Sequence, residues 1–282
     1  MHKFLSLLFF LLLAVGSVRA TNKVVRILAI GNSFSEDAVE QYLYELGKEA
    51  GYELIIGNVY KGGQTLEGHW KEASTDNNVY EYRKVVKGKK TNHKNQTLKA
   101  AITDEPWDYI TLQQASHDSG KPDTYEPYLT NLIKYVKSLA TNKKMKMGFH
   151  MTWAYAQNST HGGFVYYRNN QMTMYEDILD ATKKALEHHR ELQFLIPSGT
   201  AIQNARGTKL GDTFNRDGYH LDYNIGRYTA ACTWLEALFH KKAYHMSYHP
   251  IAVTDEQAWI VQHAAHKARR HPFKISKIKS KK

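Results

Sequence analysis

"RILAIGNSFSEDAVEQYLYEL", residues 26–46, runs an apolar, strand-like segment through Gly31-Asn32-Ser33 and directly into a helix-like repeat. Val39, Leu43, Leu46 and Ala50 recur at three- and four-residue spacing, with Glu36 and Asp37 in the opening turn and Gly51 just past the end. That is the pattern of an amphipathic helix with an acidic start and a glycine stop. Ser33 stands where strand and helix meet. A serine there ordinarily caps the helix, and Ser35 could do the same. It could also be a nucleophile, exposed at a sharp connection beside the N–H groups that open the helix.

Working outward, further strand-like runs lie at 53–60, 108–114, 145–153 and 192–197, several of them nearly continuous apolar stretches. Such runs suit parallel strands covered on both faces. Helix-like stretches fall near 122–140, 170–190, 224–240 and 254–269. Strands alternating with helices imply a three-layer α/β/α sandwich around a mostly parallel five-stranded sheet. Residues 21–282 read as one domain with a basic C-terminal tail. Two polar segments, 66–97 and 154–169, follow strand ends and read as irregular loops that would shape a cleft.

The first twenty residues, "MHKFLSLLFFLLLAVGSVRA", have a basic start, an apolar run and small or neutral residues before Ala20. This is the layout of a secretory signal peptide cleaved near Ala20, and the run is shorter than the ~20 residues that span a bilayer. Cys232 is the single cysteine, so no intrachain disulfide can form. The expectation is an exported protein, periplasmic or secreted, without stable membrane insertion. The formal charge of +11 concentrates in "VVKGKKTNHK" and the terminal "KISKIKSKK", which read as a solvated loop and tail. No zinc-finger spacing or aromatic-basic RNA signature accompanies it, which argues against nucleic-acid binding.

A serine nucleophile needs a base, and the base needs an orienting group. Near the C-terminus "FNRDGYHLD" sets Asp217 and His220 three residues apart. Taken alone, Asp-Gly is an ordinary turn pair and His220 is one of 15 histidines. Together, however, the segments resemble the SGNH (GDSL-like) hydrolase superfamily. Gly31-Asn32-Ser33-Phe34-Ser35 is similar to that family's Gly-Asp-Ser-x-Ser block, with asparagine replacing aspartate. Asp217-Gly218-Tyr219-His220 is similar to its last block. The resemblance implies Ser33 as nucleophile, with His220 and Asp217 completing a triad on an SGNH/flavodoxin-like fold. It also implies Gly63, in "KGGQT", as an oxyanion-hole glycine. The third block departs from the pattern, because "LQQASHDSG" has no asparagine. A glutamine amide could supply the same N–H. Gln113 is favoured over Gln114, since a Leu-Gln-x-x-Ser form resembles a divergent exported subgroup.

His69, Trp153 and Tyr155 fall in or beside the two polar segments and would form sugar-stacking platforms, or else pack within the loops. The histidine-rich stretches at 188–190 and 245–249 lack the acidic or cysteine partners of a metal site and read as surface, so no metal site and no cofactor are expected. The implied function is an exported serine esterase that removes acetyl or another small acyl group from a carbohydrate. An acyltransferase with the same triad and a non-catalytic carbohydrate-binding protein are the alternatives.

Overall fold

The computed structural model describes residues 22–279; the segment read as a signal peptide lies outside them. Nine residues of β1 (Lys23–Gly31) set the pattern. Val25, Ile27 and Ala29 face one hydrophobic core while Leu28 and Ile30 face a second. A strand with apolar residues on both faces must be covered on both.

The remaining strands are β2 (Tyr52–Tyr60), β3 (Tyr80–Val86), β4 (Lys89–Gln96), β5 (Tyr109–Leu112), β6 (Lys146–His150) and β7 (Leu192–Ile196). They form a seven-stranded sheet in the order β4-β3-β2-β1-β5-β6-β7. The five strands β2-β1-β5-β6-β7 are parallel, while β3 adds antiparallel to β2 and β4 antiparallel to β3. The parallel part has the flavodoxin-like order, whose switch point lies between β1 and β5 and leaves a crevice at the carboxyl ends of those strands.

The helices are α1 (Ser33–Val39), α2 (Leu43–Glu49), α3 (Leu66–Ser74), α4 (Leu98–Asp104), α5 (Tyr128–Leu139), α6 (Gln171–His188), α7 (Ser198–Arg206), α8 (Ile225–Phe239) and α9 (Asp255–Arg270). Side chains of α1, α2, α7, α8 and α9 build one core with Trp153 and Trp234. Those of α3, α4 and α5 build the other with Trp107 and Phe149. The α/β/α sandwich is therefore as expected, but the sheet has seven strands rather than five. The segment 66–97 is not an irregular loop: it holds α3 and the β3–β4 hairpin. Lys87 and Gly88 join the two strands with positive φ (51° and 73°), as a tight two-residue hairpin turn requires.

Two helices depart from the periodicity reading. The predicted first helix is broken at Tyr42, whose φ of 66° separates α1 from α2. Helix α7 shows no amphipathic pattern because all nine of its residues are buried. Its polar groups find partners within the protein: Thr200 Oγ1 lies 3.0 Å from Tyr175 Oη, and Asn204 Nδ2 donates to Ala264 O at 3.2 Å. Gly199 lets this helix press against the end of β6. A Cβ there would sit 2.1 Å from the Thr152 carbonyl oxygen, a backbone atom that cannot rotate away. Gly199→Ala should destabilise the protein by about 1–3 kcal/mol. A thermal melt that matches wild type would show that α7 can shift freely.

Candidate active site

At the carboxyl end of β1, Asn32 is extended (φ −148°) and its Oδ1 accepts the Phe34 N–H at 2.9 Å, capping α1. Capping thus falls to Asn32 and not to Ser33 or Ser35. Ser35 is buried, with Oγ 2.7 Å from both Asn32 O and Asn58 Oδ1. Ser33 is left partly exposed at the start of the helix. The asparagine that replaces the family's aspartate has a use here: its Nδ2 donates to Gln64 O at 2.9 Å, which a carboxylate could not do.

Residues 214–222 fold into a tight loop, closed by Arg216 N–H to His220 O (3.0 Å) and Asp222 N–H to Phe214 O (2.8 Å). Gly218 turns it with φ 90°, and a Cβ there would lie 2.9 Å from Ser159 Cα. Within this loop Asp217 Oδ2 meets His220 Nδ1 at 2.6 Å. Asp217 Oδ1 accepts the backbone N–H groups of His220 (2.8 Å) and Tyr219 (3.1 Å). Partial burial pushes the Asp217 carboxyl up, but hydrogen bonds from the His220 ring and the two backbone groups outweigh it and lower its pKa. The ionised carboxylate holds the proton on Nδ1 and leaves Nε2 as a base.

Two contacts bring this loop to α1. Trp153 stacks on Phe34 (centroids 4.3 Å apart, 4° between planes), and its Nε1 donates to Tyr219 O at 2.8 Å. The Phe34 ring in turn lies 5.9 Å from the His220 ring. The second contact is Asp37, one helical turn beyond Ser33 and 0% exposed. It accepts from Arg216 Nη1 (2.9 Å), Arg227 Nε (2.9 Å) and Nη2 (2.6 Å), and the Leu221 N–H (2.7 Å). Burial pushes its pKa up while Arg227 and Arg216 pull against that shift. Arg216 precedes Asp217 and Leu221 follows His220, so a carboxylate on the Ser33 helix grips the Asp217–His220 pair from both sides.

The crevice floor is a row of hydrogen bonds across four parallel strands. Gln113, after β5, donates from Nε2 to Asn32 Oδ1 at 3.0 Å. Its Oε1 accepts from Nδ1 of His150, the last residue of β6, at 3.0 Å. His150 Nε2 then accepts from the Ser198 hydroxyl at 3.0 Å, where α7 begins after β7. One N–H of the Gln113 amide is spent on this row. Gln114 is fully committed elsewhere: Oε1 accepts from Leu66 N–H and Ala115 N–H, and Nε2 donates to Thr124. Of the two glutamines, Gln113 is the one placed beside Asn32. Gly63 is exposed, adopts φ 65°, and has open space where a Cβ would be, so its backbone can be approached closely.

The predicted sugar platforms are not surfaces. His69, Trp153 and Tyr155 are wholly buried. His69 Nδ1 bonds Tyr80 Oη at 3.0 Å beneath α3, Trp153 is pinned between α1 and the Asp217 loop, and Tyr155 Oη lies 2.8 Å from Ser116 Oγ. Their positions after strand ends were readable, but not their inward turn. Two aromatic rings that do reach solvent are Tyr223 (54% exposed), three residues after His220, and Tyr166 (65% exposed), in the 3-10 turn Gly162–Tyr167. His161, in the second polar segment, packs beside the Asp217 loop: its ring lies 4.6 Å from that of Tyr219, and its Nδ1 accepts the Gly163 N–H at 3.0 Å. Burial and the nearby His117 and His220 lower its pKa.

The buried charges and rings make two expectations measurable. Asp37→Asn keeps the shape of the side chain but leaves two guanidiniums short of their counter-charge. It should cost about 3–5 kcal/mol in urea unfolding; an unchanged midpoint would show that the clamp contributes nothing. His69 and His150 are pushed down to about 3 by desolvation. Unfolded, these rings take a proton near pH 6.5, whereas folded they stay neutral until about 3, so the unfolded state binds more protons across that window. Stability should therefore fall on acidification, by about 2 kcal/mol per ring between pH 7 and pH 5. A urea midpoint that stays flat over that range would contradict their burial as neutral groups.

The domain model described as "Domain of unknown function (DUF4886)" matches residues 26–268. A crystal structure of a DUF4886 family protein from Bacteroides uniformis is 48% identical, with a TM-score of 0.88 over 91% of this chain and 98% of that one. A candidate SGNH hydrolase from Slackia heliotrinireducens is 18% identical, with a TM-score of 0.52 over 77% of this chain and 100% of that one. A single-site mutant of Axe2, an acetyl-xylooligosaccharide esterase from Geobacillus, is 12% identical, with a TM-score of 0.51 over 77% of this chain and 95% of that one. No curated protein sequence matches the chain. The chain belongs to the DUF4886 family and has the fold of the SGNH hydrolases.

Proposed function

We propose that the protein is an exported serine esterase that removes acetyl or another small acyl group from a carbohydrate. The reading is carried by the Asp217–His220 pair, 2.6 Å apart, clamped against the helix that begins with Ser33. In the first half-reaction Ser33 Oγ attacks the ester carbonyl carbon and His220 Nε2 takes the hydroxyl proton. The tetrahedral oxyanion is met by the Ser33 and Gly63 backbone N–H groups and by the second amide N–H of Gln113. As the intermediate collapses, His220 returns the proton to the departing sugar oxygen, leaving Ser33 acylated. Water then attacks the acyl-enzyme, His220 takes its proton, and the acid leaves as Ser33 is reprotonated.

Carbohydrate as the substrate is supported by the exposed rings of Tyr223 and Tyr166 and by the fold shared with an acetyl-xylooligosaccharide esterase. Export is supported by the apolar N-terminal segment.

Ser33→Ala should lower hydrolysis of p-nitrophenyl acetate by at least about 10³-fold while leaving the melting temperature near wild type. Turnover equal to wild type would end this reading. Gln113→Ala should lower kcat by about 10²–10³-fold with little change in KM, as expected for a donor used in the transition state. A Gln114→Ala variant that loses kcat equally would move the third donor away from Gln113.

A further inference from the structure

At the far end of α6 the fold assembles a group of side chains that the site above does not use. Read along the sequence, His188 and His189 lack the partners of a metal site, but the folded chain brings Glu126 to them from 63 residues earlier. His189 is buried, with Nε2 against Glu126 Oε1, while His188 and Glu126 are exposed. One ligand atom from each of the three lies within 4.8 Å of the other two.

Local geometry explains how neighbouring histidines converge. In a continuing helix their side chains would diverge by about 100°. Here α6 stops at His188, and His189 leaves the helix with φ −120° and ψ 92°. The two rings then stand at 84° with centroids 4.8 Å apart. Glu126 is oriented as well: its second oxygen, Oε2, accepts from the Thr130 hydroxyl. Ligating carboxylates are commonly held in place by such a secondary hydrogen bond.

We propose that Glu126, His188 and His189 bind a divalent transition-metal ion of the zinc class, with water completing the shell. Two imidazoles and one carboxylate suit such an ion, whereas magnesium and calcium prefer all-oxygen sets. Bonds of about 2.0–2.1 Å at tetrahedral angles place donors roughly 3.4 Å apart. Binding therefore asks the exposed His188 side chain to close in by about 1 Å and the exposed Glu126 carboxylate to draw back from its hydrogen bond with His189 Nε2 by a similar amount. Lys184 lines the same cavity, but its ammonium is engaged by Asp180 at 2.7 Å. The site lies three residues before β7 begins, on the side from which the parallel strands start and away from Ser33. It would tie the α6–β7 turn to the start of α5.

The test is calorimetric titration of the metal-freed protein with zinc chloride, beside His188→Ala, Glu126→Gln and a calcium chloride control. Wild type should bind one zinc ion per chain, each variant should bind at least about tenfold more weakly, and calcium should give no comparable binding. Zinc should also raise the melting temperature of wild type but not of His188→Ala. Equal zinc affinity in wild type and both variants, or calcium bound as tightly as zinc, would overturn the proposal.

Discussion

The arrangement depends on one buried carboxylate. A serine at residue 33 and a histidine at residue 220 lie at opposite ends of the chain, and covalent structure gives them no reason to meet. Asp37 supplies the reason: a charge with no solvent contact must find compensating donors. It finds them in Arg216, Leu221 and Arg227, two of which flank the Asp217–His220 pair. Packing repeats the message, since Trp153 stacks on Phe34 and bonds Tyr219. Glu36 in α1 and Glu40 just past its end reach Arg83 on β3 (2.9 and 3.4 Å). The short helix is thus held from the loop, from α8 and from the hairpin, although seven residues alone would scarcely stay helical in water.

The row from Ser198 through His150 and Gln113 to Asn32 has a direction. Each member donates toward β1, and the last donor, Asn32 Nδ2, ends on the Gln64 carbonyl. Such a row fixes the amide orientation of Gln113 and Asn32 and the tautomer of His150 together, because reversing one would set donor against donor. It also accounts for the unusual third block. A glutamine reaches farther than an asparagine, and here the extra methylene lets one amide touch both Asn32 and His150.

The parallel strands, the strand-to-helix turn at Ser33 and the pairing of Asp217 with His220 were legible because each is a local pattern: an apolar run, a turn pair, a short spacing. What escaped depends on distant partners or on missing contrast. Asp37 looks like an acidic residue in a helix's first turn, and only residues some 180 positions away reveal its burial. His150 closes an apolar run and carries no mark of its neighbours. Helix α7 has no polar face to read, because protein surrounds it on every side. Trp153 and Tyr155 follow a strand end, where a cleft residue belongs, and yet turn inward. The β3–β4 hairpin was partly readable: Tyr80 and Tyr82 are buried on one face of β3 and Val85 on the other, and Lys87-Gly88 is its turn. The density of charge around it favoured a loop reading.

That density of charge has its own consequence once the hairpin is in place. Strand β4, "KKTNHKNQ", is the outermost strand on its side of the sheet, and all but its last residue are exposed. An outer strand offers unpaired backbone groups to any extended chain, and lysines along it make such pairing unfavourable by charge repulsion and desolvation. Lys89, Lys90 and Lys94 therefore let the sheet grow past its parallel set and still end. In a basic protein, the lysines that read as a solvated loop instead guard the edge of the sheet.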